Sequence, residues 1–188
     1  MEFEQIKNDI KNILSKERYI HCLGVAKRAE ELAIKYNQDV EKAKLVGIAH
    51  DIAKEMPKAE AYEYAKKHNI ELDEIEKNEP SLLHSKIGSH ICKEKYNFTQ
   101  DMVDAIIYHT TGNVKMDTFA KIIFLADKTE EGRTEVNLVE ARKIIDDDLD
   151  EGMLYMLRIA MAYTLKKKRL IHPDSIYLMN QLIIKKGK

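Results

Sequence analysis

Leu45-Val46-Gly47-Ile48-Ala49-His50-Asp51-Ile52-Ala53-Lys54 is an apolar run interrupted by a histidine and an aspartate side by side. It reads as the end of a helix over about Val40 to Ala53. Burying two such polar groups without partners costs several kcal/mol, and more if the carboxylate stays charged. A dry core gains nothing from that pair, whereas imidazole and carboxylate are both good ligands for a transition metal. Side chains of helical neighbours point about 100° apart and do not touch, yet both can reach one ion beside the helix end. A lone His-Asp pair is more often an ordinary helix terminus, so the rest of the chain decides.

Outward from this run, apolar residues recur at about 3.6-residue spacing, and only three prolines and seven glycines interrupt the sequence. That pattern predicts an all-α protein, a single helical bundle over residues 1–188. Helices are expected at about Phe3–Leu14, Glu17–Tyr36, Pro57–His68, Ser81–Tyr96, Gln100–Tyr108, Thr118–Asp127, Leu138–Asp146, Leu149–Lys168 and Pro173–Lys185. Glu71–Pro80 reads as a polar connection. His21 lies four residues before Val25 and belongs to a buried face. His84 falls in the first turn of its helix. His109 follows Ala105 and Ile106 by four and three residues and points inward. Asp127 closes the apolar run Ile122–Ala126, an acid on a buried face that needs a cation or several donors. His68 reads as surface, His90 sits on a different face from His84, and His172 precedes a helix-starting proline, so all three fall outside the site.

The bulk numbers narrow the function. The chain has 188 residues, 44% hydrophobic and 34% charged, with a net charge of -1. This balance gives no basic footprint for nucleic acid and no polybasic membrane anchor. No run approaches the roughly 20 apolar residues of a membrane span. Cys22 and Cys92 form no CxxC pair and read as core thiols. The acidic start, Met1-Glu2-Phe3-Glu4, has no signal core, so the cytoplasm is the expected compartment.

Six candidate ligands emerge, His21, His50, Asp51, His84, His109 and Asp127, in the spacing H-x28-H-D-x32-H-x24-H-x17-D. Bundles gather such residues from facing helices into one core site. Four histidines and two carboxylates exceed what one ion needs and match two. The pattern resembles the HD-domain metal-dependent phosphohydrolases, in the variant with two extra histidines. More narrowly it resembles the YqeK family, through Gly47-Ile48-Ala49-His50-Asp51-Ile52-Ala53-Lys54, Leu83-His84-Ser85-Lys86-Ile87-Gly88, His109-Thr110-Thr111-Gly112, and Ala126-Asp127 through Glu130 and Arg133. The likeness covers about Arg18 to Leu182. Glu131, Lys128-Thr129 and Ser85 depart from the family pattern, beside the ligands rather than on them.

The resemblance implies symmetrical hydrolysis of diadenosine tetraphosphate to two ADP. It implies that His21, His50, Asp51 and Asp127 hold a first metal and that Asp51 bridges to a second completed by His84 and His109. A hydroxide shared by the two ions would attack an inner phosphate. Iron is the metal the family favours, and manganese, cobalt or zinc also suit the mixed donors. Lys54, one turn past His50, is expected to act in catalysis with Asp51 and to bind phosphate. Lys86, Thr110, Thr111 and Arg133 are further expected phosphate contacts. The expected partner is a dinucleoside polyphosphate, and a homodimer is compatible with the chain. Two alternatives stay open: an HD phosphohydrolase acting on a mononucleotide or other phosphoester, and a di-iron HD oxygenase.

Overall fold

The computed structural model describes residues 3–134 and 137–187. Its elements are α1 (Phe3–Ile13), α2 (Lys16–Lys35), α3 (Val40–Ala49), α4 (Lys58–Lys67), α5 (Glu74–Asn78), α6 (Leu83–Tyr96), α7 (Gln100–Tyr108), α8 (Thr118–Thr129), α9 (Leu138–Asp147), α10 (Leu149–Lys166) and α11 (Pro173–Lys185), with a 3₁₀ turn at Pro80–Leu82. No strand occurs among the described residues, and the all-α expectation holds. No helix among them is long and apolar enough to cross a membrane.

Local chemistry sets the helix ends. Ser15, Asp39, Asp117 and Asn137 each cap a helix by accepting a backbone N–H from its first turn. Asn37, Asn69 and Asn97 stop helices in the left-handed conformation, at φ 57°, 53° and 54°, which asparagine tolerates better than branched residues. The main core runs from Ile6 and Ile10 of α1 to Leu178 and Leu182 of α11 and includes the buried Cys22 and Cys92. The strongly apolar α8, with Ile122, Ile123, Phe124, Leu125 and Ala126 all buried, passes through it.

Two differences from the sequence expectation bear on the site. First, α3 ends at Ala49 rather than Ala53. Beyond it the chain tightens into i→i+3 turns, with Ile52 N–H donating to Ala49 (3.0 Å), Lys54 N–H to Asp51 (2.8 Å) and Met56 N–H to Ala53 (3.2 Å). His50 and Asp51 therefore sit on a tight turn and can face one point. Second, the Glu71–Pro80 connection contains α5, which Asp73 starts through a capping box with Glu76.

Gly47 fixes the approach of α3 to α2. A Cβ there would meet the Ala26 Cα at 2.6 Å and its N at 2.9 Å. Only glycine permits this contact, which sets the histidine of α2 beside the one that ends α3.

Candidate metal centre

The six residues arrive from five places. His21 comes from α2, His50 and Asp51 from the end of α3, His84 from the start of α6, His109 from the end of α7, and Asp127 from the last turn of α8. The structure brings all six together. The His21 and His50 ring centroids are 5.4 Å apart, His50 and His109 4.9 Å, and His84 and His109 5.0 Å. His50 is 0% exposed, His109 1%, Asp51 2% and His84 4%.

The outward nitrogens of the rings are all engaged. Nδ1 of His50 lies 2.8 Å from the Gly47 carbonyl, Nδ1 of His84 2.7 Å from Ser81, and Nδ1 of His109 2.6 Å from Ile106. In each case Nδ1–H donates to a carbonyl three residues back, and this fixes the tautomer. Nδ1 of His21 lies 3.2 Å from Glu130 Oε1. The four Nε2 atoms then face the two carboxylates: His21 to Asp127 at 3.1 Å, His84 to Asp51 at 3.2 Å, and His109 and His50 to Asp51 at 3.5 Å. Nε2 of His84 and Nε2 of His109 are 3.1 Å apart.

With the protons on Nδ1, these are lone pairs facing lone pairs. His50 Nε2 and Asp51 Oδ1 are buried with no hydrogen-bond partner, a situation native interiors avoid. A cation at the centre resolves it. The donor set also fits: imidazole rings held from behind by carbonyls or a carboxylate are how proteins orient metal ligands. His21, His50 and Asp127 can hold one ion, as can His50, Asp51 and His109. His84 adjoins the second group through Asp51 and His109.

The electrostatics agree for His84 and His109. Burial pushes the His109 pKa down to about 4 and lowers that of His84, where Lys54 adds to the effect. Both rings are neutral and ligand-ready near neutral pH. Burial opposes charge on His50, but Asp51 and Asp127 outweigh it and raise its pKa. Burial also opposes charge on the two acids. In the absence of an ion, positive charge on His50 foremost holds Asp51 well below the usual carboxylate range, and Lys128 does so for Asp127.

Cations ring the cluster. Lys54 Nζ, on the turn beyond α3, is 3.2 Å from His84 Nε2. Arg133 donates to the carboxylate of Asp127 and, through Nε, to its carbonyl at 2.8 Å. The expected phosphate contacts Lys86 and Thr111 are engaged away from the six residues, and Thr110 directly follows His109. Lys86 Nζ is held by Glu76 (2.6 Å) and by the Glu71 carbonyl (2.8 Å). Thr111 donates to the Gly112 carbonyl at 3.1 Å. All three line a separate cleft of about 70 Å³ shared with Asp73, Glu76 and Asp174, and those acids would repel a polyphosphate.

Three contacts escaped the sequence reading. Arg18 Nη1 donates to Asp51 Oδ2 at 3.0 Å. Lys128, which departs from the family pattern, donates to the His109 carbonyl at 2.8 Å and lies 3.8 Å from the Phe124 ring centre. Glu130, quoted only as part of a motif, is 5% exposed and backs His21. Gly24 makes room for it, since a Cβ there would meet Glu130 Oε2 at 2.5 Å.

Residues 18–132 match the family described as HD domain. The chain is 31% identical over 184 residues to the "Bis(5'-nucleosyl)-tetraphosphatase, symmetrical" of Bacillus subtilis, covering 97% of this chain and 98% of that one. It is 33% identical over 176 residues to the protein of that name from Halalkalibacterium halodurans, covering 93% and 94%. Among solved structures, a Clostridium acetobutylicum protein described as a predicted HD superfamily hydrolase involved in NAD metabolism superposes with a TM-score of 0.93. It is 33% identical, with 98% of each chain covered.

Proposed function

This chain belongs to the HD domain family, and on that premise we propose that it is a metal-dependent, symmetrical bis(5'-nucleosyl)-tetraphosphatase acting on diadenosine tetraphosphate in the cytoplasm. The carrying observation is the set of inward-facing nitrogens and carboxylate oxygens with an unsatisfied His50 Nε2 and Asp51 Oδ1 at its centre. Relatives of that name match nearly the whole chain, which supports reading residues 1–188 as one functional unit.

His21, His50, Asp51 and Asp127 would hold one ion and Asp51, His84 and His109 a second, iron being the first choice and manganese, cobalt or zinc compatible with the donors. Such ions supply Lewis acidity that lowers the pKa of a water and neutralises charge on the attacked phosphate. The chain's own residues do the rest. The carbonyls of Gly47, Ser81 and Ile106 hold three rings in the ligating tautomer. Lys54, at the His84 edge, and Arg133, at the Asp127 edge, are placed to bind phosphate oxygens on either side of the cluster. Arg18 can turn from Asp51 to a phosphate, because its side chain is 30% exposed. Water adds to an inner phosphorus, the bond from that phosphorus to the central bridging oxygen breaks, and ADP leaves as a stable anion needing little protonation. Asp51 acts here as a ligand and orienting group.

Product analysis tests the reading. Metal-loaded protein with diadenosine tetraphosphate should give ADP alone on anion exchange. ATP plus AMP would move the attacked phosphorus and overturn the symmetrical assignment. An intact substrate beside a hydrolysed mononucleotide would favour the alternative phosphohydrolase reading.

A further inference from the structure

Two clefts adjoin the ligand cluster. One lies between α8 and α10 and has a volume of about 330 Å³. Asp127, Lys128 and Arg133 line it, and α10 contributes Met156, Ile159 and Tyr163. The α10 positions repeat at three and four residues and so form one face of that helix. The other cleft, about 210 Å³, is lined by Lys54, Met56, Lys58, Leu83 and the ligand His84. Each cleft therefore contains a ligand residue and at least two cations, and they differ in what lies beyond. The α10 cleft ends in apolar and aromatic surface, with Tyr163 half exposed. The Lys54 cleft is smaller and has no aromatic wall.

An exposed aromatic wall next to a ligand carboxylate and two cations suits a flat, neutral ring joined to an anionic chain. The volume of the α10 cleft falls at the lower end of the roughly 300–1,000 Å³ of small-molecule sites, and the smaller cleft falls short of it. Lys167 lies over the Tyr163 ring, 5.6 Å from its centre, so a face of this ring is already open to a stacked group.

We propose that the α10 cleft seats one nucleoside of the substrate, with Tyr163 as the stacking wall and with Lys128 and Arg133 leading its phosphates to the ligand cluster. The second half of the substrate leaves along Lys54 and Lys58, held by its phosphates rather than its base. This deepens, and rests on, the dinucleoside tetraphosphatase reading. It makes the two halves of a symmetrical substrate unequal: one base is read and the other is not.

The test is a calorimetric titration of the manganese-loaded full-length protein with ADP and, separately, with inorganic pyrophosphate. Base stacking on an aromatic is worth roughly tenfold in affinity or more. Tyr163→Ala should weaken ADP by about that factor and Tyr163→Phe should restore it, while pyrophosphate affinity stays within about twofold in both. Ala160→Leu, which adds bulk to the same wall, should weaken ADP in the same selective way and serves if Tyr163→Ala is poorly folded. Equal losses for ADP and pyrophosphate, or no loss of ADP affinity, would overturn the proposal. Failure of the hydrolase reading shows separately, as intact dinucleoside tetraphosphate with the wild-type protein. If two ADP still form while the titrations show no role for Tyr163, the function stands and the nucleoside seat lies elsewhere.

Discussion

Among the described residues, two clusters of ligand-type side chains behave in opposite ways. In the centre built from His21, His50, Asp51, His84, His109 and Asp127, the triads His21–His50–Asp127 and His50–Asp51–His109 each place potential ligand atoms within 4.8 Å of one another, and so does the cluster Asp73, Glu76 and His172. In the second cluster, each group already has a partner. Asp73 and Glu76 cap α5 reciprocally, Lys86 pairs with Glu76 at 2.6 Å, and His172 Nε2 lies 2.7 Å from Asp73. In the first, the outward nitrogens are spent on carbonyls and Glu130, and His50 Nε2 and Asp51 Oδ1 at the centre are left buried without a partner. Residue type and proximity are thus not enough to mark a metal site. The deciding feature is where the other lone pairs and protons are used.

The comparison breaks most sharply at Asp51. Asp51→Ala should remove turnover and reduce bound metal towards zero, measured by elemental analysis of the purified protein. Asp73→Ala should leave metal content at the wild-type level. Retained metal and turnover in Asp51→Ala would mean that the convergent centre is not the metal site.

Metal removal comes next. A ligand that binds only the folded state at about 100 times its Kd adds about 2.7 kcal/mol, or roughly 5–10 °C in Tm for a chain of this size. Chelation should lower the Tm of the wild-type protein by that amount and leave Asp51→Ala unmoved. An equal response in both would place the stabilising ion elsewhere, with Asp73 and His172 the first residues to suspect.

Glu130 sharpens the first half of the comparison. It holds His21 from behind and accepts the Gly132 N–H at 2.6 Å. Removing such a partner typically costs 10–100-fold in metal affinity or activity. Glu130→Gln, which keeps the size and loses the charge, should fall in that range. Gly24→Ala should follow in the same direction by displacing the carboxylate. Metal affinity measured by competition with a chromogenic chelator separates this from a general loss of fold.

The six converging side chains were legible in the sequence because each lay on an apolar face or at a helix end, where a histidine or acid has no ordinary reason to be. The all-α fold was legible from the periodicity. Glu130, Arg18 and Lys128 were not, because what makes them matter is a contact across 19 to 109 residues of chain with no local pattern. The same limit explains Lys86. Beside His84 in a motif it reads as a phosphate ligand, but the sequence does not show that Glu76, ten residues earlier, comes within 2.6 Å of it. The early end of α3 was hidden because Ile52 and Ala53 continue the apolar spacing while the backbone switches to tighter turns.

The smallest expected effects lie in the saturated cluster, and they separate its two roles. Asp73→Ala removes the α5 N-cap, worth about 1 kcal/mol, together with the His172 contact that ties α5 to the start of α11. Asp73→Asn keeps a side-chain oxygen able to cap and loses only the charge facing His172. If the cap dominates, Asp73→Asn should recover most of the lost Tm, because a partly exposed His–Asp pair contributes little beyond it. If Asp73→Asn is as unstable as Asp73→Ala, the tie to His172 is the larger part, and α5 is held to α11 rather than by its own cap. Both variants should bind metal as the wild type does, since Asp73 already has all its partners within the fold.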